Sequence, residues 1–148
     1  KGKIAFMSPE QGAGEALVIA ALPHDVAHFL QPPDDSYGYH KHDRSGGEWL
    51  ARRFPPEVSE PVRLHVTAKR YLCAVEKDYF DKLSAASVYT LSQQGGPMSD
   101  DEVRAFAASP HLDSAVRLRR WDDSGNVTGV TVRDLPYYRA MLERFARN

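Results

Sequence analysis

Apolar residues recur at helical rather than alternating spacing along almost the whole chain. Ile4-Ala5-Phe6-Met7 already reads as the middle of an amphipathic helix, so the polypeptide is expected to extend upstream of Lys1. Ser8-Pro9-Glu10-Gln11-Gly12 breaks that segment. From Glu15 to about His24 nearly every position is apolar, the pattern of a buried helix. Pro23 removes one backbone hydrogen bond there and should bend it. A loop follows at Gln31-Pro32-Pro33-Asp34-Asp35-Ser36, then a helix from His42 to about Arg53, ended by Pro55-Pro56. Pro61 suits a first helical turn, and the helix it opens runs to about Val75.

Shorter elements follow. Tyr79 to Leu83 is a short helix or turn, and Ser84 to Gln93 is helical, with Ser84 as its cap and Gly95-Gly96-Pro97 as its stop. Ser99-Asp100-Asp101-Glu102 has the form of a capping box and opens a helix to about Ala107. Asp113 to Asp122 is the next helix, Gly125 to Val132 is irregular or a short hairpin, and Asp134 caps a last helix from Pro136 to Arg147. The sum is an all-α single domain over residues 1–148 with short connections.

Composition narrows the classes. A net charge of −1 gives no basic surplus for nucleic acid. No apolar stretch approaches the ~20 residues needed to span a membrane. One cysteine, Cys73, excludes an internal disulfide and fits a reducing cytoplasm; its apolar surroundings point to packing. No self-association stripe is legible, so a monomer is expected.

The chemistry lies in the pair His24-Asp25, followed by His42, His65 and Asp122. Neutral imidazole and ionised carboxylate suit zinc, iron or manganese. One carboxylate has two oxygens and can bridge two ions. Burying His24 and Asp25 in an apolar helix without a metal is costly. His28 lies four residues after His24, and Lys69 four after His65, so each pair shares a helical face. Ser87, Thr90 and Gln94 also line one face. Asp122 closes its helix behind Trp121, which is expected to shield it. His111 reads as an ordinary helix residue. Arg119, Arg120 and Asp123 read as ion-pair partners around Trp121.

The His24-Asp25, His42, His65, Asp122 set resembles the HD-domain superfamily of metal-dependent enzymes, most of which are phosphohydrolases. Ala20-Ala21-Leu22-Pro23-His24-Asp25-Val26-Ala27-His28 is similar to the corresponding stretch of its mixed-valent di-iron oxygenases, with Pro23 where Leu is usual. His65-Val66-Thr67-Ala68-Lys69-Arg70-Tyr71-Leu72, Phe80-Asp81-Lys82-Leu83-Ser84, Gln94-Gly95-Gly96-Pro97-Met98 and Arg119-Arg120-Trp121-Asp122 resemble the phosphonate-cleaving oxygenases of that group. The resemblance covers most of the chain and implies an HD-domain helical bundle holding two iron ions as an Fe(II)/Fe(III) pair.

By that resemblance, His24 and Asp122 bind the first iron, Asp25 bridges, and His42 and His65 bind the second. A further family histidine falls upstream of Lys1. His28, Lys69, Ser87, Thr90 and Gln94 would hold the phosphonate. Apart from the resemblance, His40 is close to His42 in the Tyr37-Gly38-Tyr39-His40 loop and could at most hydrogen-bond near the second metal. The implied reaction uses O2 to cleave the carbon–phosphorus bond of a 1-hydroxy-2-aminoethylphosphonate-type substrate. It releases inorganic phosphate and glycine or an N-methylated glycine. The alternatives are an HD-type metal-dependent phosphohydrolase acting on a phosphate ester or nucleotide, and a non-enzymatic HD module.

Overall fold

The computed structural model describes residues 48–124, together with 16, 17, 20, 140, 143, 144 and 146. Of the expected elements before residue 48 only positions 16, 17 and 20 are described; all three are helical, with Leu17 and Ala20 buried, as the expected helix from Glu15 requires, while the irregular segment from Gly125 and most of the last helix lie outside the described residues. Within them the chain is all-α, with no strand. Residues 48–51 are helical and end where the N–H groups of Arg53 and Phe54 both donate to the Leu50 carbonyl. That end agrees with the predicted stop before Pro55-Pro56.

Helix α1 spans Pro56–Val75, and its start corrects the sequence reading. Pro56, not Pro61, occupies the first turn, where a missing N–H costs nothing because no intrahelical acceptor faces it. Pro55 precedes it in extended conformation, and its carbonyl receives the N–H groups of Val58 and Ser59 and the Ser59 hydroxyl. Pro61 therefore lies inside the helix, buried, and the Glu57 carbonyl loses its usual partner there.

A 3₁₀ turn, Phe80–Lys82, leads to α2, Ala85–Gln93. Ser84 caps α2 as expected, its hydroxyl accepting from the Ser87 N–H at 3.2 Å. At the far end Gly96 N–H reaches the Leu91 carbonyl and Gly95 N–H that of Ser92, a Schellman closure with Gly95 at φ +99°. Helix α3, Asp100–Ala107, opens on the predicted capping box, with Ser99 and Glu102 exchanging hydrogen bonds. Helix α4, Leu112–Ser124, begins one residue earlier and ends two later than the periodicity suggests.

Helix α1 is the central element. It packs most extensively on α4 and more lightly on α3. Ala68, Met98, Phe106 and Ala115 form a core cluster where α1, α3 and α4 meet, with Tyr71 edge-on to Phe106 at 5.4 Å between ring centroids. The buried side of α1 carries Val58, Val62, His65, Val66, Lys69 and Leu72. Three polar residues, Ser59, His65 and Lys69, are buried on this helix; Ser59 is used locally on the Pro55 carbonyl, and the placement of His65 and Lys69 fixes where the site lies.

Candidate anion and metal site

Lys69 is only 2% exposed. A buried ammonium is costly unless its donors are used. Its Nζ donates to Thr90 Oγ1 at 2.7 Å and to the Ser87 carbonyl at 3.3 Å, both on α2. Burial, and next the Arg119 charge, pull its pKa down to about 8, although Cys73, Asp122 and Asp123 act in the other direction. Lys69 is therefore a cation whose charge is set by its surroundings near neutral pH.

Arg119 closes the second side. It follows Ala115 and Leu118 on the buried stripe of α4 and is 5% exposed. Its guanidinium donates to Asp122 Oδ2 at 3.2 Å, Asp123 Oδ1 at 2.5 Å, Ser87 Oγ at 3.3 Å and Tyr79 Oη at 3.1 Å. Burial works against the charged form, but Asp122, Asp123 and Tyr79 outweigh it and hold the pKa above its already high ordinary value. The expected ion pairing of Arg119 with Asp123 is therefore present, and Arg120 pairs with Glu76 at 2.5 Å.

His65 is wholly buried. Its Nδ1 lies 2.6 Å from the Val62 carbonyl. A carbonyl only accepts, so Nδ1 carries the proton and Nε2 the lone pair, the tautomer in which imidazole ligates a metal. Asp122 lies seven residues after Ala115, so it continues the buried stripe of α4, with its carboxylate anchored by Arg119. The side chain is 30% exposed.

The structure thus brings Lys69, Ser87 and Thr90 into one hydrogen-bonded group, joined to Asp122 through Arg119. Gln94 stands at the C-cap of the same helix as Ser87 and Thr90, and its Oε1 is buried without a hydrogen-bond partner among the described residues. His24, Asp25, His28, His40 and His42 lie outside the described residues. Among the described residues no three potential ligands form a metal-binding group. His65 and Asp122 supply donors of the right kind, an oriented neutral imidazole and an anchored carboxylate. The residue that the sequence reading passed over is Tyr79, which lies in a connector too short to carry a periodic signal. The placement of Arg119 beside Ser87 was hidden for a different reason: a charged residue on an apolar stripe reads first as a surface pair.

Two blocks singled out in the sequence prove to be joined. Arg70 donates Nε–H to the Gly96 carbonyl at 2.8 Å, and Met98 N–H returns to the Arg70 carbonyl at 3.2 Å. Arg70 also reaches Glu102 of the capping box at 3.1 Å. The turn that ends α2 is therefore tied to α1 one residue beyond Lys69.

No family model matches the chain. It is 44% identical over 131 residues to the hydroxymethylphosphonate dioxygenase of Gimesia maris, covering 85% of this chain and 65% of that protein. It is 34% identical over 148 residues to the glycine-betaine-forming [1-hydroxy-2-(trimethylamino)ethyl]phosphonate dioxygenase of Leisingera caerulea, covering 95% of this chain and 74% of that protein. The chain belongs to the phosphonate dioxygenase family. An uncharacterised protein of Acanthamoeba polyphaga mimivirus, 29% identical over 146 residues, is a further relative. The chain thus spans about two thirds to three quarters of the length of the two named dioxygenases. Among the described residues no helix is long and apolar enough to cross a membrane.

Proposed function

We propose that the protein is an oxygenase that cleaves the carbon–phosphorus bond of a 1-hydroxyphosphonate with O2. One carboxylic acid and one phosphate form per O2, which balances the atoms: both added oxygens end in the products. The observation that carries the reading is the buried Lys69 ammonium set against Thr90 and Ser87, a fixed cation with hydroxyl partners in a chain of this family. A phosphonate is an anion with three oxygens and needs that combination.

Lys69 supplies the charge, and Ser87, Thr90 and Gln94, with His28, complete the hydrogen bonds to the phosphonate oxygens. Held by that end, the substrate presents its C1 hydroxyl and hydrogen to the metal ligands in one orientation. His24, Asp25, His42, His65 and Asp122 would hold two iron ions, with Asp25 shared between them. When bound, an iron(II)/iron(III) pair supplies the redox chemistry with O2 that amino-acid side chains lack. Arg119 keeps the Asp122 carboxylate turned toward its ligand position.

The Gimesia and Leisingera relatives are named for substrates that share a hydroxyl on the carbon bearing phosphorus and differ beyond it. The substrate class proposed here is that shared unit, with 1-hydroxy-2-aminoethylphosphonates and their N-methylated forms as the specific members. The reading further takes residues 1–148 as one domain of HD type, monomeric and cytoplasmic, with no nucleic-acid or membrane partner.

The test is anaerobic loading of the full-length protein with iron, then O2 and a panel containing hydroxymethylphosphonate and the 2-amino and 2-trimethylammonio compounds. Equal amounts of O2 consumed and phosphate released support the reading. Phosphate released from a phosphate monoester or nucleotide without O2 uptake would replace it with a phosphohydrolase.

A further inference from the structure

We propose that Tyr79 is a positioning residue for the anion pocket, acting through Arg119 on Ser87. The inference rests on the phosphonate reading above. Tyr79 belongs to none of the metal-ligand or phosphonate-binding positions and lies in the connector between α1 and α2. Its ring is buried, with 6% exposure. The hydroxyl donates to Asp123 Oδ2 at 2.5 Å and accepts from Arg119 Nε at 3.1 Å, while Arg119 Nη2 donates to Asp123 Oδ1 at 2.5 Å. Three side chains from two elements therefore close a ring of hydrogen bonds.

That ring sets the plane of the guanidinium. Arg119 has five N–H donors in a rigid fork, so fixing Nε and Nη2 fixes Nη1 as well. The same Nη2 reaches Ser87 Oγ at 3.3 Å. Burial, reinforced by Asp123, holds the Tyr79 hydroxyl well above the ordinary phenol range, so it keeps the proton it gives to Asp123. Tyr79 and Asp123 also line a cleft of about 290 Å³ shared with Glu76, Lys82 and Arg120. Without the hydroxyl, water from that cleft can take its place on Arg119, and Asp123 loses the donor on its Oδ2, so the carboxylate that holds Nη2 is free to turn. The Ser87 hydroxyl then loses a fixed partner in Arg119.

The experiment uses the full-length, iron-loaded protein and the variants Tyr79→Phe, Ser87→Ala and both together, with KM and kcat for the preferred phosphonate, iron content and melting temperature. Tyr79→Phe keeps the ring and removes one hydroxyl, and it should raise KM about three- to tenfold, with kcat and iron content near wild type. The double variant should be no worse than the more impaired single, because both changes act on one contact. An unchanged KM in Tyr79→Phe, or effects that simply add in the double variant, overturns the inference while wild-type turnover leaves the functional reading standing. If wild type turns over no phosphonate, the functional reading fails and takes this inference with it. Should Tyr79→Phe not fold, Arg119→Lys, which keeps the charge and loses the fork, must show the same rise in KM and the same non-additivity with Ser87→Ala, or the inference is wrong.

Discussion

Lys69 and Thr90 meet at 2.7 Å across the α1–α2 gap, and the lysine making that contact is almost completely shielded from solvent. The contact is the most direct link between a charge and a row of hydroxyls in the described residues. Its consequences for pH run in two directions.

The first concerns binding. Only the ammonium attracts a phosphonate, and the Lys69 pKa is drawn down to about 8 by burial and Arg119. The value of kcat/KM, which reports the free enzyme, should fall as pH rises through about 8. A bound anion favours the charged lysine, so the fall in kcat should come at higher pH. Initial rates between pH 6.5 and 10 check both.

The second concerns stability. The folded pKa lies below the ordinary 10.5 of an unfolded chain. Between those values the unfolded state binds a proton that the native state has released. The Lys69 contribution to stability therefore rises with pH from about 8 to about 10.5, as affinity is being lost. Lys69→Met should abolish this rise, and chemical denaturation at pH 7 and pH 10 measures it.

The same variant separates charge from structure. On the proposed function, Lys69→Met should remove a charge-assisted hydrogen bond to the substrate worth about 1.5–3 kcal/mol, which corresponds to roughly a 10- to 150-fold weaker phosphonate complex. Thr90 still donates to the Ser87 carbonyl at 3.1 Å, so α2 retains its local bonding. Iron content should stay at the wild-type level. Equal loss of iron and affinity would count against the assigned role.

Gly95 gives a backbone prediction. Its φ of +99° is unfavourable for any residue with a Cβ, and an added Cβ would lie 3.5 Å from Arg70 Nη2, ordinary contact. Gly95→Ala should cost about 1–2 kcal/mol from conformation rather than collision. Arg70→Met, which also frees the Gly96 carbonyl and Glu102, should cost a similar amount. Denaturant midpoints read both.

On the proposed function, Asp25→Ala should prevent the proposed two-iron centre from forming while the protein stays folded, since the carboxylate proposed to be shared has no substitute among histidines. Elemental analysis of full-length protein should find fewer than two irons per chain, and the loss should exceed that of Lys69→Met.

Much of this was legible in the residues. Ser84 and the Ser99–Glu102 pair were readable as caps because capping depends on side chains only three positions away. The stripe carrying His65 and Lys69 was readable because helical spacing is local. Pro61 misled because a proline is favoured in a first turn, and sequence alone does not say that Pro56 already fills that place. The Tyr79–Arg119–Asp123 ring was out of reach, since it joins side chains 40 and 44 positions apart whose meeting depends on how α4 lies against α1.

Adjacent residues on α1 grip opposite ends of α2: Lys69 holds the Ser87–Thr90 turn, and Arg70 holds the Gly96 carbonyl just past its last turn. A two-point anchorage from neighbouring positions removes both the roll and the slide of the short helix. The wall bearing the hydroxyls is thus immobilised relative to the strut that carries His65. An anion held as proposed would therefore meet a wall that does not yield.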